Sequence, residues 1–384
     1  MLRKNMPRIA LLAAPLLALW ASCVNKDAYT INGKVSDSLL KNQTIYIIDP
    51  LAEGPLDSTK AAADGSFTFQ GTSEQPQIVN LVVMRESTPQ GITLVLEPGN
   101  ISVNLDDNTI GGTTLNDRLN AYLHDLEESK AHKEMMKVVE QLSATDYEQA
   151  QTALMPTYDS LKMAYLNHFI DATAKLFGDN SDNVLGAYAF NRLAEGTEMG
   201  WKEADSLLNT ASPVVVQYEP NVKLMERLHN IEKTSVGHHY VDLRGHLYSK
   251  DSKNGFVATD ASHLKEVIDG KVAIIDFWAS WCMPCRREIK ETLLPLYKKY
   301  KGKGLVVVGV SIDEDAEAMA TAYQTMNIDY PVMLAEGHPS ETYGFNSIPL
   351  IILVDANGTI IGRDLRGLEL EAAVEAAMAT RRQR

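Results

Sequence analysis

Cysteine is scarce, with three residues in a chain of 384, at positions 23, 282 and 285. A framework of structural disulfides, which staples many small exported domains, needs more. A structural zinc site lacks its material too. His238, His239 and His246 lie close together in the chain, but four ligands in paired spacings are absent, and no metal is expected. Positive charge is also short. Thirty-six Lys and Arg against 50 Asp and Glu leave a formal net charge of −14, which argues against nucleic acid and against a polybasic membrane patch. No glycine-rich phosphate loop follows a strand, because Lys301-Gly302-Lys303-Gly304 precedes one. The most apolar run, Ile9 to Trp20, is too short to cross a bilayer. A chain working without metal, nucleotide or other cofactor is the expectation.

What is present divides the chain. With 45% hydrophobic and 22% charged residues it is globular, and too long for one ordinary domain. Arg3, Lys4 and Arg8 ahead of Ile9–Trp20 read as a targeting segment. Leu19, Trp20 and Ala21 offer an ordinary signal peptidase little, whereas Leu19-Trp20-Ala21-Ser22-Cys23 resembles a lipoprotein signal with Cys23 as the lipidated residue. Residues 1–22 are thus expected to be removed and 23–27 to act as a tether. Residues 28–112 read as an all-β, sandwich-like domain. Strands are predicted over Tyr29–Val35, Gln43–Ile48, Asp64–Phe69, Ile78–Met84, Gly91–Leu96 and Asn100–Leu105, with a turn at Glu97-Pro98-Gly99-Asn100. No catalytic constellation lies among them. Over 113–234 the apolar period becomes helical, with Pro156 marking a break or a new start and 178–182 a loop. His124, His132, His168 and His229 share no spacing there and read as ordinary helix residues.

The chemistry gathers in the third part, residues 235–384. Val272-Ala273-Ile274-Ile275-Asp276-Phe277-Trp278 is an apolar, largely β-branched run of the kind buried on both faces of a sheet. It breaks at Ala279-Ser280 and resumes after Cys282-Met283-Pro284-Cys285 as the charged amphipathic segment Arg286–Glu291. Two cysteines therefore stand where a buried strand hands over to a helix start. Unpaired N–H groups and the partial positive charge at that end favour thiolate over thiol. Cys282, first and more exposed, is expected to attack, and Cys285, one turn inside, to resolve. Pro284 suits the first helical turn, where a missing N–H costs nothing. Asp276 is costly inside an apolar strand. Either its pKa is raised and it exchanges a proton with Cys285, or it sits at a bend or edge and finds solvent.

The segment Asp276–Cys285 resembles the active site of the thioredoxin superfamily, and most of all the TlpA/ResA-like thiol-disulfide oxidoreductases that bacteria export. Ser347-Ile348-Pro349 before the apolar run Leu350–Asp355 is similar to the second signature of that family. The resemblance implies a C-terminal α/β thioredoxin fold with a helix-containing insert, here Asp315–Gly344, and hence a multidomain α+β chain. It implies a redox disulfide Cys282–Cys285, a cis Pro349, and a substrate groove shaped by Trp281, Pro284, Ile348 and Pro349. With Cys23 lipidated, no other thiol remains. The Gly-x-Val, Asp-Gly-Ser-Phe and Glu-Pro-Gly-Asn stretches of 28–112 resemble an N-terminal domain often fused to such enzymes. The implied activity is reduction of disulfides in exported proteins, at the periplasmic face of a Gram-negative envelope, on a lipid anchor and fed by a membrane thiol donor. Two features depart from the family: the helix-kinking proline is Pro295, further along than usual, and the dipeptide Met283-Pro284 is its own variant. Two other readings compete. One is a tethered adaptor that uses the scaffold without chemistry. The other is a thiol peroxidase, disfavoured because Ala279 stands where the peroxide-fixing Thr is needed.

Overall fold

A computed structural model describes residues 26–381 apart from 37–39, 41, 86–87, 145–149, 151 and 252–254. The expected signal segment and Cys23 lie outside the described residues. The chain divides into two compact units, residues 1–127 and 128–384.

In the first unit, alternating apolar residues build two four-stranded sheets. One has the order β4 (Ser66–Thr72), β1 (Ala28–Lys34), β7 (Gly99–Asn104), β8 (Thr109–Gly111), and the other β3 (Pro55–Lys60), β2 (Thr44–Ile48), β5 (Gln77–Arg85), β6 (Thr88–Leu96). Ile31, Phe67, Phe69, Ile101 and Val103 are buried from the first sheet, and Ile45, Ile47, Val79, Leu81 and Leu94 from the second, as period-two patterning requires. Helix α1 (Thr114–Glu128) is tied to β6 by side chains. The amide of Asn116 accepts from the Val95 N–H at 2.9 Å and donates to the Val95 carbonyl at 2.8 Å, copying a strand pairing. Glu97 accepts from the Leu115 and Asn116 N–H groups at 2.7 and 3.1 Å, which satisfies two orphan donors at the helix start.

The second unit opens with α2 (Lys130–Ala144), α3 (Met155–Asp179), α4 (Val184–Gly196), α5 (Trp201–Leu208), α6 (Pro213–Val216) and α7 (Glu219–Lys233). Pro156 lies in the first turn of α3, so it marks a start rather than a break. The expected helical stretch 113–234 is thus shared, α1 falling in the first unit and the rest in the second.

A seven-stranded sheet follows, in the order β10 (Gly255–His263), β9 (Arg244–Asp251), β13 (Val332–Ala335), β12 (Leu305–Ser311), β11 (Val272–Trp278), β14 (Leu350–Val354), β15 (Ile360–Arg363). β11, β12 and β13 run parallel, while β14 lies antiparallel beside β11. β11 and β14 are buried along their whole lengths, hence their unbroken apolar runs. Helix α8 (Leu264–Ile268) starts only at Leu264, because Ala261–His263 pair with Arg244–His246 and extend β10. After β11 comes one helical rod: α9 (Met283–Glu288), a π-helical segment Ile289–Leu293, and α10 (Leu294–Tyr300). The expected insert contains α11 (Ala316–Thr325), β13 and α12 (Pro339–Tyr343), and α13 (Gly367–Arg381) closes the chain. Helix α11 is capped by Asp315, whose side chain accepts from the Glu317 N–H.

Candidate active site

The site is laid out by the period of β11. Ile274, Asp276 and Trp278 face one side of the sheet, and Ala273, Ile275 and Phe277 the other. The first face shares its core with Cys282, Cys285, Ile289 and Leu293 of the following rod. Asp276 therefore lies on the face that the cysteine helix covers. It is 1% exposed in the middle of a central strand, and neither carboxylate oxygen has a hydrogen-bond partner among the described residues. The alternative of a bend open to solvent does not hold. Burial pushes its pKa from 3.8 up to about 8, with the Glu288 carboxylate adding to the rise and the Arg366 guanidinium opposing it.

Cys282 and Cys285 form a disulfide, with Cα atoms 5.3 Å apart. Cys282 is the N-cap of α9, and its sulfur accepts from the Cys285 N–H at 3.1 Å, so an orphan donor of the helix start points at the sulfur. Both cysteines are buried, Cys282 at 5% exposure and Cys285 at 0%. Around them Trp281 and Met283 each stand 66% exposed, and Pro284 is exposed in the first helical turn. The Ile348–Pro349 peptide bond is cis, Pro349 is buried and Ile348 half-buried. The Ile348 carbonyl oxygen lies 3.7 Å from Cys282 Sγ. This is a contact in the disulfide and becomes a possible acceptor once Cys282 carries a proton.

Sequence reasoning missed the residues that hold this arrangement. Asp313, after β12, accepts from the Ser280 N–H at 2.8 Å and from its hydroxyl at 2.7 Å, and Ser311 donates to it as well. The break at Ala279-Ser280 is thereby fixed by a carboxylate 33 positions away. Arg366 donates to the Pro349 carbonyl at 2.6 Å, and Glu288 accepts from the Gly367 N–H at 2.9 Å. These partners meet only through the tertiary fold, and no local pattern announces them. Gly309, inside the buried strand β12, lies opposite Asp276. A Cβ there would come within 2.9 Å of Trp278 Nε1 and 3.1 Å of Val332 Cγ2. The Trp278 N–H and the Tyr330 hydroxyl are, like Asp276, buried without hydrogen-bond partners among the described residues. Pro295 acts through the π-helical segment just before it. The Leu294 N–H reaches back five residues to the Ile289 carbonyl, which widens the turn where the proline ring would otherwise strike the preceding one. The three neighbouring histidines go separate ways: His238 to Ser235, His239 to the Tyr240 carbonyl, His246 toward Glu336.

Among the described residues no helix is long and apolar enough to cross a membrane. Residues 270–360 match the family described as Thioredoxin-like, and residues 29–119 match a domain of unknown function, DUF4369. The thiol-disulfide oxidoreductase ResA of Bacillus thuringiensis subsp. konkukian is 32% identical over 130 residues, 33% of this chain and 73% of that one. ResA of Bacillus subtilis is 25% identical over 95 residues, 24% of this chain and 52% of its own. Among solved structures, the thioredoxin domain of a thiol-disulfide oxidoreductase from Bacteroides vulgatus is 30% identical. It covers 37% of this chain and 96% of that domain, with a TM-score of 0.31. At 32% identity across 73% of a ResA chain, and with a cysteine pair that closes at a helix start beside a cis-proline, this chain belongs to the TlpA/ResA-like thiol-disulfide oxidoreductases of the thioredoxin superfamily.

Proposed function

We propose that the chain reduces disulfides of exported proteins in the cell envelope, by dithiol–disulfide exchange through Cys282 and Cys285. In the reduced protein the Cys282 thiolate, stabilised by the Cys285 N–H and the helix start, attacks one sulfur of a substrate disulfide. One substrate thiolate leaves and a mixed disulfide forms. Asp276 takes the proton from the Cys285 thiol, and the new thiolate attacks Cys282 Sγ and expels the second substrate sulfur as thiolate. The enzyme disulfide has then formed as two electrons passed to the substrate. Ile348 and Pro349 receive the substrate backbone in extended form, between the exposed shoulders of Trp281 and Pro284. A membrane thiol protein returns the electrons, and lipid on Cys23 tethers the chain facing the periplasm of a Gram-negative cell.

The observation that carries this reading is the 3.7 Å approach of Cys282 Sγ to the carbonyl of Ile348, ahead of the cis bond. It brings the attacking sulfur to the backbone that receives a substrate strand. The deciding experiment equilibrates the pair with glutathione or dithiothreitol and reads its reduction potential. A value near that of thioredoxin, about −270 mV, fits a reductase, and one approaching about −120 mV makes the protein an oxidant instead.

A further inference from the structure

Beside the cis-proline loop lies a cleft of about 640 Å³, within the size range of ligand sites. One wall is the loop from Gly344 to Pro349; the other comes from α4, α5 and α7, outside the segment 270–360 that matches the Thioredoxin-like family. The walls are locked together. Asn230 of α7 donates to the Glu341 carbonyl at 2.9 Å. A Cβ at Gly344 would lie 2.6 Å from the Arg227 carbonyl oxygen, so the loop and α7 touch backbone to backbone.

The guanidinium groups lining the cleft are committed. Arg227 pairs with Glu195 at 2.7 Å, and Arg366 with Asp364 at 2.6 Å. Arg363 places its N–H groups on the Thr234 and Tyr343 carbonyls and the Thr234 hydroxyl. Glu198 is different: it is exposed and has no ion pair among the described residues. Close by in the same lining stands Trp201, half-buried, its ring 4.9 Å from that of His229. An aromatic face beside an unpaired carboxylate suits a lysine or arginine side chain.

Resting on the thiol-disulfide exchange reading, we infer that this cleft takes the polypeptide flanking the substrate disulfide, with a basic side chain at Trp201 and Glu198. A strand laid on Ile348 and Pro349 runs along the same loop that forms the cleft wall, so the two sites are continuous. The helices thereby select substrates, while the cysteine pair supplies the chemistry.

The test uses the reduced full chain and a short peptide whose single cysteine is joined to thionitrobenzoate. Attack of Cys282 on the peptide sulfur releases thionitrobenzoate, and attack of Cys285 on Cys282 then releases the peptide thiol and leaves the protein disulfide. With lysines flanking the cysteine, thionitrobenzoate release should be about tenfold faster than with glutamines at low salt. Trp201→Ala should remove the preference, and Glu198→Lys should turn it toward glutamate peptides. Oxidation by hydroxyethyl disulfide, too small to reach the cleft, should keep its wild-type rate in both variants and so report an intact fold. Equal rates for lysine and glutamine peptides in the wild type, or a preference that survives both substitutions, would overturn the cleft assignment. If hydroxyethyl disulfide leaves the wild-type pair reduced, the exchange chemistry itself fails and the cleft proposal goes with it.

Discussion

Asp276 combines 1% exposure with two oxygens that have no hydrogen-bond partner among the described residues, and the Arg366 guanidinium offsets only part of the cost of charging it. The consequence for stability has a definite sign. Below about pH 4 the folded and unfolded chains both hold the proton. From there to about pH 8 the unfolded chain ionises while the folded one does not, and the folded state loses ground as pH rises. Asp276→Asn should therefore gain stability relative to the wild type across that window, on the order of a few kcal/mol by pH 9, read from urea unfolding at pH 4, 7 and 9. Under the proposed mechanism the same variant should lose the alkaline inflection in resolution of the mixed disulfide, because an Asn side chain cannot take the Cys285 proton. Gly309 supports this site by having no side chain. Gly309→Ala should cost about 1–3 kcal/mol, because its Cβ meets Trp278 Nε1 at 2.9 Å, and thermal unfolding would measure it. At this scale Asp276, Cys282 and Cys285 could be singled out in the sequence because each breaks a local pattern, and Pro349 through the family resemblance. Asp313, Arg366 and Gly309 could not, because each acts through a contact made across the sheet.

Among elements, strands with an alternating or unbroken apolar run were visible in sequence, and β3 and β8, which have neither, were not. β3 is exposed along almost all of Pro55–Lys60 and opens on a proline, and β8 has only three residues. Backbone pairing defines both, and backbone pairing leaves no apolar period. The rod after the cysteines shows the same limit. Pro295 announced a kink, but the π-helical form that it takes rests on the Leu294-to-Ile289 bond. The sharpest element-level result concerns β15. Arg363 reaches from it to the C-cap carbonyl of α7, at Thr234, and the last carbonyl of α12, at Tyr343, at 3.1 and 2.7 Å, where helix ends leave acceptors without partners. Arg363→Met should destabilise the protein by about 2–3 kcal/mol, with the loss concentrated in α7 and the 344–349 loop. Hydrogen exchange localised to those segments is the measurement.

At the scale of the molecule, the cysteine pair, the cis-proline and the helices packed on its loop all lie within residues 128–384, one compact unit. A chain cut to that unit should keep the reduction potential of the full protein to within about 10 mV. A chain beginning at 235 loses α7 and Thr234, and with them the backbone packed on Gly344 and one of the two carbonyl partners of Arg363, and should unfold at lower urea. The change of period near residue 113 was legible from sequence, whereas the placing of α1 in the first unit depends on the grip of Asn116 and Glu97. Strand order carries a consequence for biogenesis. β11 lies between β12, which follows it closely, and β14, which comes much later in the chain. As the chain is made from its N-terminus, the cysteines emerge well before the strand and the cis-proline that cover them. For that interval the nascent cysteines lack their partner loop, and the later strand β14 with the cis-proline before it closes the redox site.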